Sequence, residues 1–282
     1  DVLSCVNGAF SERWYDVAIS NGKDAVRLDV EWGRSLRPEV LAEKLKEKHY
    51  EAVTIVHNET STGVENPLQA LCAVVKDVSP DTLILVDAVS SLSGSRIEMD
   101  AWGIDFLLTS SQKCLALPPG ISLVGVSDRA LEKAKTVTNR GWYFDLLIME
   151  KTRIKNSTAM TPAVSLVYAL DFQMDRILAE GIDARFARHA AMSQRVYDWS
   201  LAHGMSPFAE EGARSKTVAT INNTRNLDIS ALNAFLMEKY EMRISNGYGD
   251  LKNKTFRIAT MGETSMAEID TLLGAMEEFM QS

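Results

Sequence analysis

The feature that most constrains this chain is a rhythm: apolar runs of strand length alternate with amphipathic stretches of helix length. Val2–Val6 reads as a strand, and Ala9–Ser20 as a helix closed by Asn21-Gly22, residues suited to the positive φ of a helix end. Residues 25–30 form the next expected strand. Pro38 is a good first helical residue, and Val40, Leu41 and Leu45 would line one apolar face behind it. Ala52–Val56 reads as a buried strand and residues 67–78 as a helix, followed by short apolar runs at 82–86, 104–108 and 121–126. Nearly continuous runs of this kind suit strands covered on both faces, as in a parallel sheet. Strand–helix alternation therefore predicts an α/β fold with a mostly parallel, doubly wound sheet.

After Thr161-Pro162 the pattern changes. A long helix is expected over about 163–179, broken at Gly181, with a second running to about 202. Strands near 217–221 and 255–259 bracket a helix over 229–240, and Ser265 with Glu268 has the spacing of a capping box for a terminal helix. The expected division is a large domain over 1–180 that includes the long connecting helix, and a smaller α+β domain over 181–282.

Composition narrows the class further. With 46% hydrophobic and 24% charged residues among 282, the chain can build a core, which excludes disorder as its main state. No apolar run approaches the ~18 residues needed to span a bilayer, and no signal-peptide pattern opens the chain. A net charge of −8 without a dense Lys/Arg block argues against nucleic acid as a partner. Three scattered cysteines suit neither a disulfide framework nor a zinc site, so a reduced, cytoplasmic protein is expected. His49, His57, His189 and His203 show no metal-ligand spacing and are expected to be solvated or capping; no metal site is expected.

Three polar segments fall at the ends of expected strands, where open α/β sheets bind ligands. They are His57-Asn58-Glu59-Thr60-Ser61-Thr62-Gly63, Asp87-Ala88-Val89-Ser90-Ser91, and Thr109-Ser110-Ser111-Gln112-Lys113. Taken singly, a post-strand Asp is often a helix cap, a loop Lys is usually solvated, and a hydroxyl run is turn chemistry. Together they bring an acid, Asp87, and one lysine, Lys113, about 26 residues apart, to a single sheet edge. A half-buried amine can form a Schiff base with a carbonyl. A carboxylate facing a pyridine nitrogen keeps it protonated and turns the ring into an electron sink. The pair suits pyridoxal 5′-phosphate chemistry.

Five segments carry a resemblance along the whole chain: Asn-Gly-Ala-Phe-Ser-Glu-Arg-Trp (7–14), His-Asn-Glu-Thr-Ser-Thr-Gly (57–63), Val-Asp-Ala-Val-Ser-Ser (86–91), Ser-Ser-Gln-Lys-Cys-Leu (110–115) and Phe-Arg-Ile-Ala-Thr-Met-Gly (256–262). In these the chain resembles the class V aminotransferases, in particular the alanine–glyoxylate and serine–glyoxylate branch. The resemblance implies the aspartate-aminotransferase-like fold, pyridoxal 5′-phosphate as cofactor and a homodimer. It also implies transfer of an amino group from a small amino acid to a 2-oxo acid such as glyoxylate or pyruvate. Lys113 would form the internal aldimine and shuttle the proton, and Asp87 would pair with the pyridinium nitrogen. Phe10 would cover the cofactor face, Thr60 and Gln112 would lie at its edge, and Thr161 near a segment that reaches the partner's phosphate. Arg257 would grip the substrate carboxylate, a task for a planar bidentate donor, with Ser91 also on the substrate side.

In that family a Gly-Ser-Gly-Thr-like phosphate turn precedes the position of Asn7. This chain opens on Asp1, six residues before Asn7, so either a shortened enzyme or a fragment is expected. A cofactor-free scaffold of the same fold is the alternative from another class. Hydrolase-type and phosphoserine-specific relatives remain open. Desulfurases fit less well, because Gln112 stands where they have His and no Cys follows Cys114. A dinucleotide-binding domain lacks its Gly-x-Gly-x-x-Gly after the first strand.

Overall fold

The computed structural model describes residues 1–281. The first half runs β1 (Val2–Val6), α1 (Ala9–Ser20), β2 (Ala25–Asp29), α2 (Pro38–Glu47), β3 (Ala52–Val56), β4 (Asn58–Glu59), β5 (Val64–Glu65), α3 (Leu68–Val78) and β6 (Leu83–Asp87). It continues with α4 (Met99–Trp102), β7 (Phe106–Ser110), β8 (Ser122–Val126), α5 (Asp128–Thr136) and α6 (Leu146–Arg153). The rest is α7 (Val164–Glu180), α8 (Ile182–Ala202), β9 (Ser206–Pro207), β10 (Val218–Asn222), α9 (Ile229–Tyr240), β11 (Ser245–Asn246), β12 (Thr255–Ala259) and α10 (Met266–Gln281).

The main sheet has the order β2-β1-β3-β6-β7-β8. All its pairings are parallel except β7 with β8, which is antiparallel. Such a sheet must be covered on both faces, and the fully buried β3 shows it. The fold is α/β with a mostly parallel central sheet. Its core gathers Leu3, Leu41, Tyr50, Ile55, Leu71 and Ile84. Val40 departs from the expected apolar face of α2: it is 45% exposed, while Leu41 and Leu45 alone point inward.

A second, antiparallel sheet, β11-β12-β10-β9, lies in the last third of the chain. Its separate core packs Met192, Trp199, Ile221, Leu236, Phe256 and Leu273 from sheet and flanking helices. Gly181 takes φ +84°, a left-handed value that suits glycine, and this turns the chain between α7 and α8.

The topology fixes where a ligand can sit. The chain leaves β1 for β2 on one side and returns to β3 on the other, so the strand order reverses between β1 and β3. At such a reversal the connections diverge and leave a crevice beyond the carboxyl ends of the strands. The ends of β1, β3, β6 and β7 all open onto that edge.

Candidate active site

Four loops build the site, one from each strand end. After β1, Asn7-Gly8 leads straight into α1. The helix has no side-chain cap of its own. The buried Glu59 carboxylate supplies it from β4, accepting from Ser11 N at 2.9 Å and Phe10 N at 3.3 Å, where the helix dipole favours an anion. Ser61 Oγ accepts from Ala9 N at 3.0 Å. Gly8 is required by close approach, since a Cβ there would lie 2.3 Å from Glu59 Cγ. This anchoring fixes Phe10 in the first turn of α1, at the mouth of the crevice.

Asp87 is the last residue of β6. Its carboxylate accepts one hydrogen bond, from Val89 N at 2.8 Å. Burial pushes its pKa up to about 6, and the Glu59 charge adds to that while Lys113 opposes it. Lys113 sits in the turn after β7, half-buried. Burial, together with the Arg257 charge, lowers its proton affinity. The Lys113 amine makes no hydrogen bond or ion pair among the described residues. A half-buried cation and a half-buried anion thus share one edge without an ion pair, each at a cost that a ligand complementary to both would offset.

Arg257, from the middle of β12, reaches the same edge. Its Nη1 donates to Thr60 O at 3.4 Å and its Nε to Asn246 O at 3.2 Å. It has no carboxylate partner among the described residues, and burial lowers its pKa. A half-buried guanidinium bonded only to neutral carbonyls is suited to a carboxylate ligand. Tyr248 completes the mouth. Its ring stacks on Phe10 with centroids 5.2 Å apart, its hydroxyl accepts from Arg13 Nη2 at 2.7 Å, and Arg257 lies 5.7 Å from its centroid. A cleft of about 280 Å³ opens beside it, lined in part by Arg13, Trp32 and Tyr248.

The sequence-derived site residues divide accordingly. Asp87, Lys113, Phe10, Thr60 and Arg257 converge on the crevice. Gln112 is exposed next to Lys113, and Thr60 is buried with its hydroxyl 2.6 Å from Ser90 Oγ. Ser91 is fully buried and its hydroxyl lies 2.9 Å from His57 Nδ1. His57 is not solvated, as expected from sequence, but 3% exposed, and burial lowers its pKa. His189 is buried as well. Thr161 is exposed in the loop between α6 and α7 and makes no hydrogen bond to the crevice residues. Tyr248 and the capping role of Glu59 were not foreseen. The only signal for Tyr248 was the glycine pair around it, Gly247 and Gly249, and Glu59 looked like one more polar loop residue. No group of three His, Cys, Asp or Glu able to hold a metal occurs among the described residues.

Fold and site together define an α/β scaffold built around a lysine and an aspartate with no ion-pair partner among the described residues and a guanidinium bonded only to carbonyls, at a parallel-sheet switch point. The family model "Aminotransferase class-V" matches residues 6–270, and the chain belongs to that family. An uncharacterized aminotransferase of Methanocaldococcus jannaschii is 40% identical over 98% of this chain and 72% of its own length. L-aspartate–glyoxylate aminotransferase of Paracoccus denitrificans is 33% identical over 94% of this chain and 68% of its own. The crystal structure of alanine–glyoxylate aminotransferase from Nostoc sp. superposes with a TM-score of 0.92 at 30% identity, covering 98% of this chain and 74% of that one.

Proposed function

We propose that the chain is a pyridoxal-phosphate-dependent aminotransferase that moves an amino group from a small amino acid to a 2-oxo acid, with glyoxylate or pyruvate as acceptor. The observation that carries this reading is the Lys113 amine: half-buried, without a partner, its proton affinity lowered, and electrostatically coupled to Asp87. The residues fit the cofactor by their chemistry. Lys113 would hold its aldehyde carbon, Asp87 its ring nitrogen, Phe10 its face and Thr60 its edge, with Gln112 beside ring or phosphate. When bound, the cofactor draws electrons from the substrate's α-carbon.

The chain's own residues do the rest. Arg257 orients the substrate carboxylate, which fixes the α-hydrogen relative to the lysine. Lys113, as a neutral amine, would take that proton from Cα and return it at the cofactor's C4′, the work of a base with a lowered pKa. Asp87, whose pKa burial raises to about 6, would pair with the ring nitrogen and keep it protonated. The stacked Phe10 and Tyr248 shield the crevice from water at its mouth. Mixing the cofactor-loaded chain with a small amino acid tests this: one equivalent of 2-oxo acid should be released without any acceptor. Release of ammonia with it would instead point to deaminating or hydrolytic chemistry.

We further propose a two-domain organisation, 1–180 and 181–282, supported by the two separate cores and the turn at Gly181. A homodimer is proposed from the exposed large apolar side chains of residues 144–178, where Phe144, Tyr168, Phe172 and Leu178 are 66–76% exposed. Thr161, which in this reading reaches the partner's cofactor phosphate, lies exposed in the same stretch of chain. Tyr168→Asp should shift the chain from dimer to monomer in sedimentation; an unchanged mass would show that this face is not the interface. A cytoplasmic location is proposed as well. Among the described residues no helix is long and apolar enough to cross a membrane.

A further inference from the structure

Arg185, in the first turns of α8, is fully buried, as few arginines are unless paired. Its Nη2 donates to Cys114 O at 2.8 Å, the carbonyl of the residue directly after Lys113. Its Nε donates to Ser93 Oγ at 3.0 Å, in the loop that follows Asp87. Its Nη1 is shared between Glu180 Oε2 at 2.6 Å and Glu263 Oε1 at 3.0 Å. One planar cation therefore ties together the lysine turn, the aspartate loop, the end of α7 and the turn before α10.

The surrounding packing is as close. A Cβ on Gly262 would meet Ala116 Cβ at 3.1 Å and Lys113 O at 3.4 Å, and one on Gly94 would meet Cys114 Sγ at 2.7 Å. Ser90 O accepts from Thr217 Oγ1 at 2.6 Å and from Cys114 Sγ at 3.5 Å. The lysine turn itself is short, held by Ala116 N on Lys113 O at 2.9 Å and Leu117 N on Ser111 O at 3.0 Å. The bond from α8 to that turn, Arg185 Nη2 to Cys114 O, is charge-assisted.

We propose that Arg185 is a positioning residue for Lys113: its guanidinium fixes the turn that presents the amine and registers that turn against the Asp87 loop. The proposal rests on the reading of Lys113 as the cofactor lysine. It acts through the backbone and touches neither substrate nor cofactor. Glu180 and Glu263 hold the guanidinium in place, and Gln173 Nε2 steadies Glu263 at 2.7 Å. Lysine at position 185 would keep the charge but could not span four acceptors on three sides.

The test uses the full chain, free of cofactor, with Arg185→Met and Arg185→Lys, and with Leu273→Ala as a control in the distant small-sheet core. Two rates are read: amide exchange at Ala116 and Leu117, and capture of pyridoxal phosphate at Lys113, trapped by borohydride and mapped by peptide. Arg185→Met should speed exchange about tenfold by freeing local opening of the turn. It should slow capture about tenfold through the misplaced amine, with Arg185→Lys between. Leu273→Ala should lower the melting temperature but leave both rates at those of the parent. Parent-like rates in Arg185→Met, or equal changes in Leu273→Ala, would overturn the proposal. Should Arg185→Met fail to fold, Glu263→Gln replaces it, and unchanged rates there overturn it equally. A parent chain labelled at another lysine would refute the cofactor-lysine reading, while the exchange comparison would still judge the hold of Arg185 on the turn.

Discussion

Two groups of charges lie on either side of the same short turn and are treated in opposite ways. On one side Lys113, Asp87 and Arg257 are half-buried or buried and paired with no charge of opposite sign. On the other, Arg185 and Arg188 are locked to Glu180, with Glu180 Oε1 2.6 Å from Arg188 Nε and Oε2 2.6 Å from Arg185 Nη1. The pKa values follow. Asp87 is pushed up to about 6 by burial, whereas Glu180 is held down to about 2 by its two arginines. Burial without a partner is expensive, and a fold retains it where a ligand makes up the difference. Pairing marks the parts that must not move. The contrast separates the residues that act from those that hold them.

The comparison predicts a graded series of losses. The largest is Lys113→Ala, which should cut turnover by at least about 10³-fold and remove the cofactor's visible band. Turnover near the parent rate would break the assignment. Next, Arg257→Ala should raise KM for the amino donor about 100-fold, the worth of a bidentate carboxylate contact, with the cofactor still bound. Equal loss of cofactor would move Arg257 from the unpaired group to the structural one.

Asp87→Asn should weaken cofactor binding about tenfold at pH 7.5, the loss of one charge-assisted hydrogen bond. The sign follows from a carboxyl raised to about 6: it is charged above that pH and neutral below. Parent and variant should therefore converge in cofactor affinity as pH falls below 6, and a constant gap would contradict the pairing. The smallest effect is structural. Glu180 is depressed, so its contribution is complete above its ordinary carboxylate value and is lost as pH falls through about 2. It is partly exposed, and after screening Glu180→Gln should cost about 1 kcal/mol at pH 7. Parent and variant should converge in urea unfolding near pH 2.

Much of the fold was legible because strands covered on both faces leave apolar runs that need no partner to be recognised. Val2–Val6, Ala52–Val56 and Thr255–Ala259 were expected at their observed bounds. The β4–β5 hairpin inside the polar loop was not, because two-residue strands depend on register rather than on composition. Helix α6 has no clear apolar stripe, and none of residues 146–153 is buried. Asp87, Lys113 and Arg257 could be picked out because each stands at a strand end or in a quoted motif. Arg185 could not. Its meaning depends on four acceptors that lie 5 to 92 residues away, and in sequence it is one more charge on a surface-like helix. His57 was hidden for the same reason: its hydrogen-bond partner, Ser91, lies 34 residues away.

The central claim is that the unpaired amine of Lys113 is the attachment point for an aldehyde cofactor. Adding pyridoxal 5′-phosphate to the purified chain, reducing with borohydride and mapping the modified peptide tests it most directly. The account predicts a visible band that disappears on reduction and a label on Lys113 alone. A folded chain that takes up no label, or takes it on a solvated lysine such as Lys46 or Lys216, would contradict it.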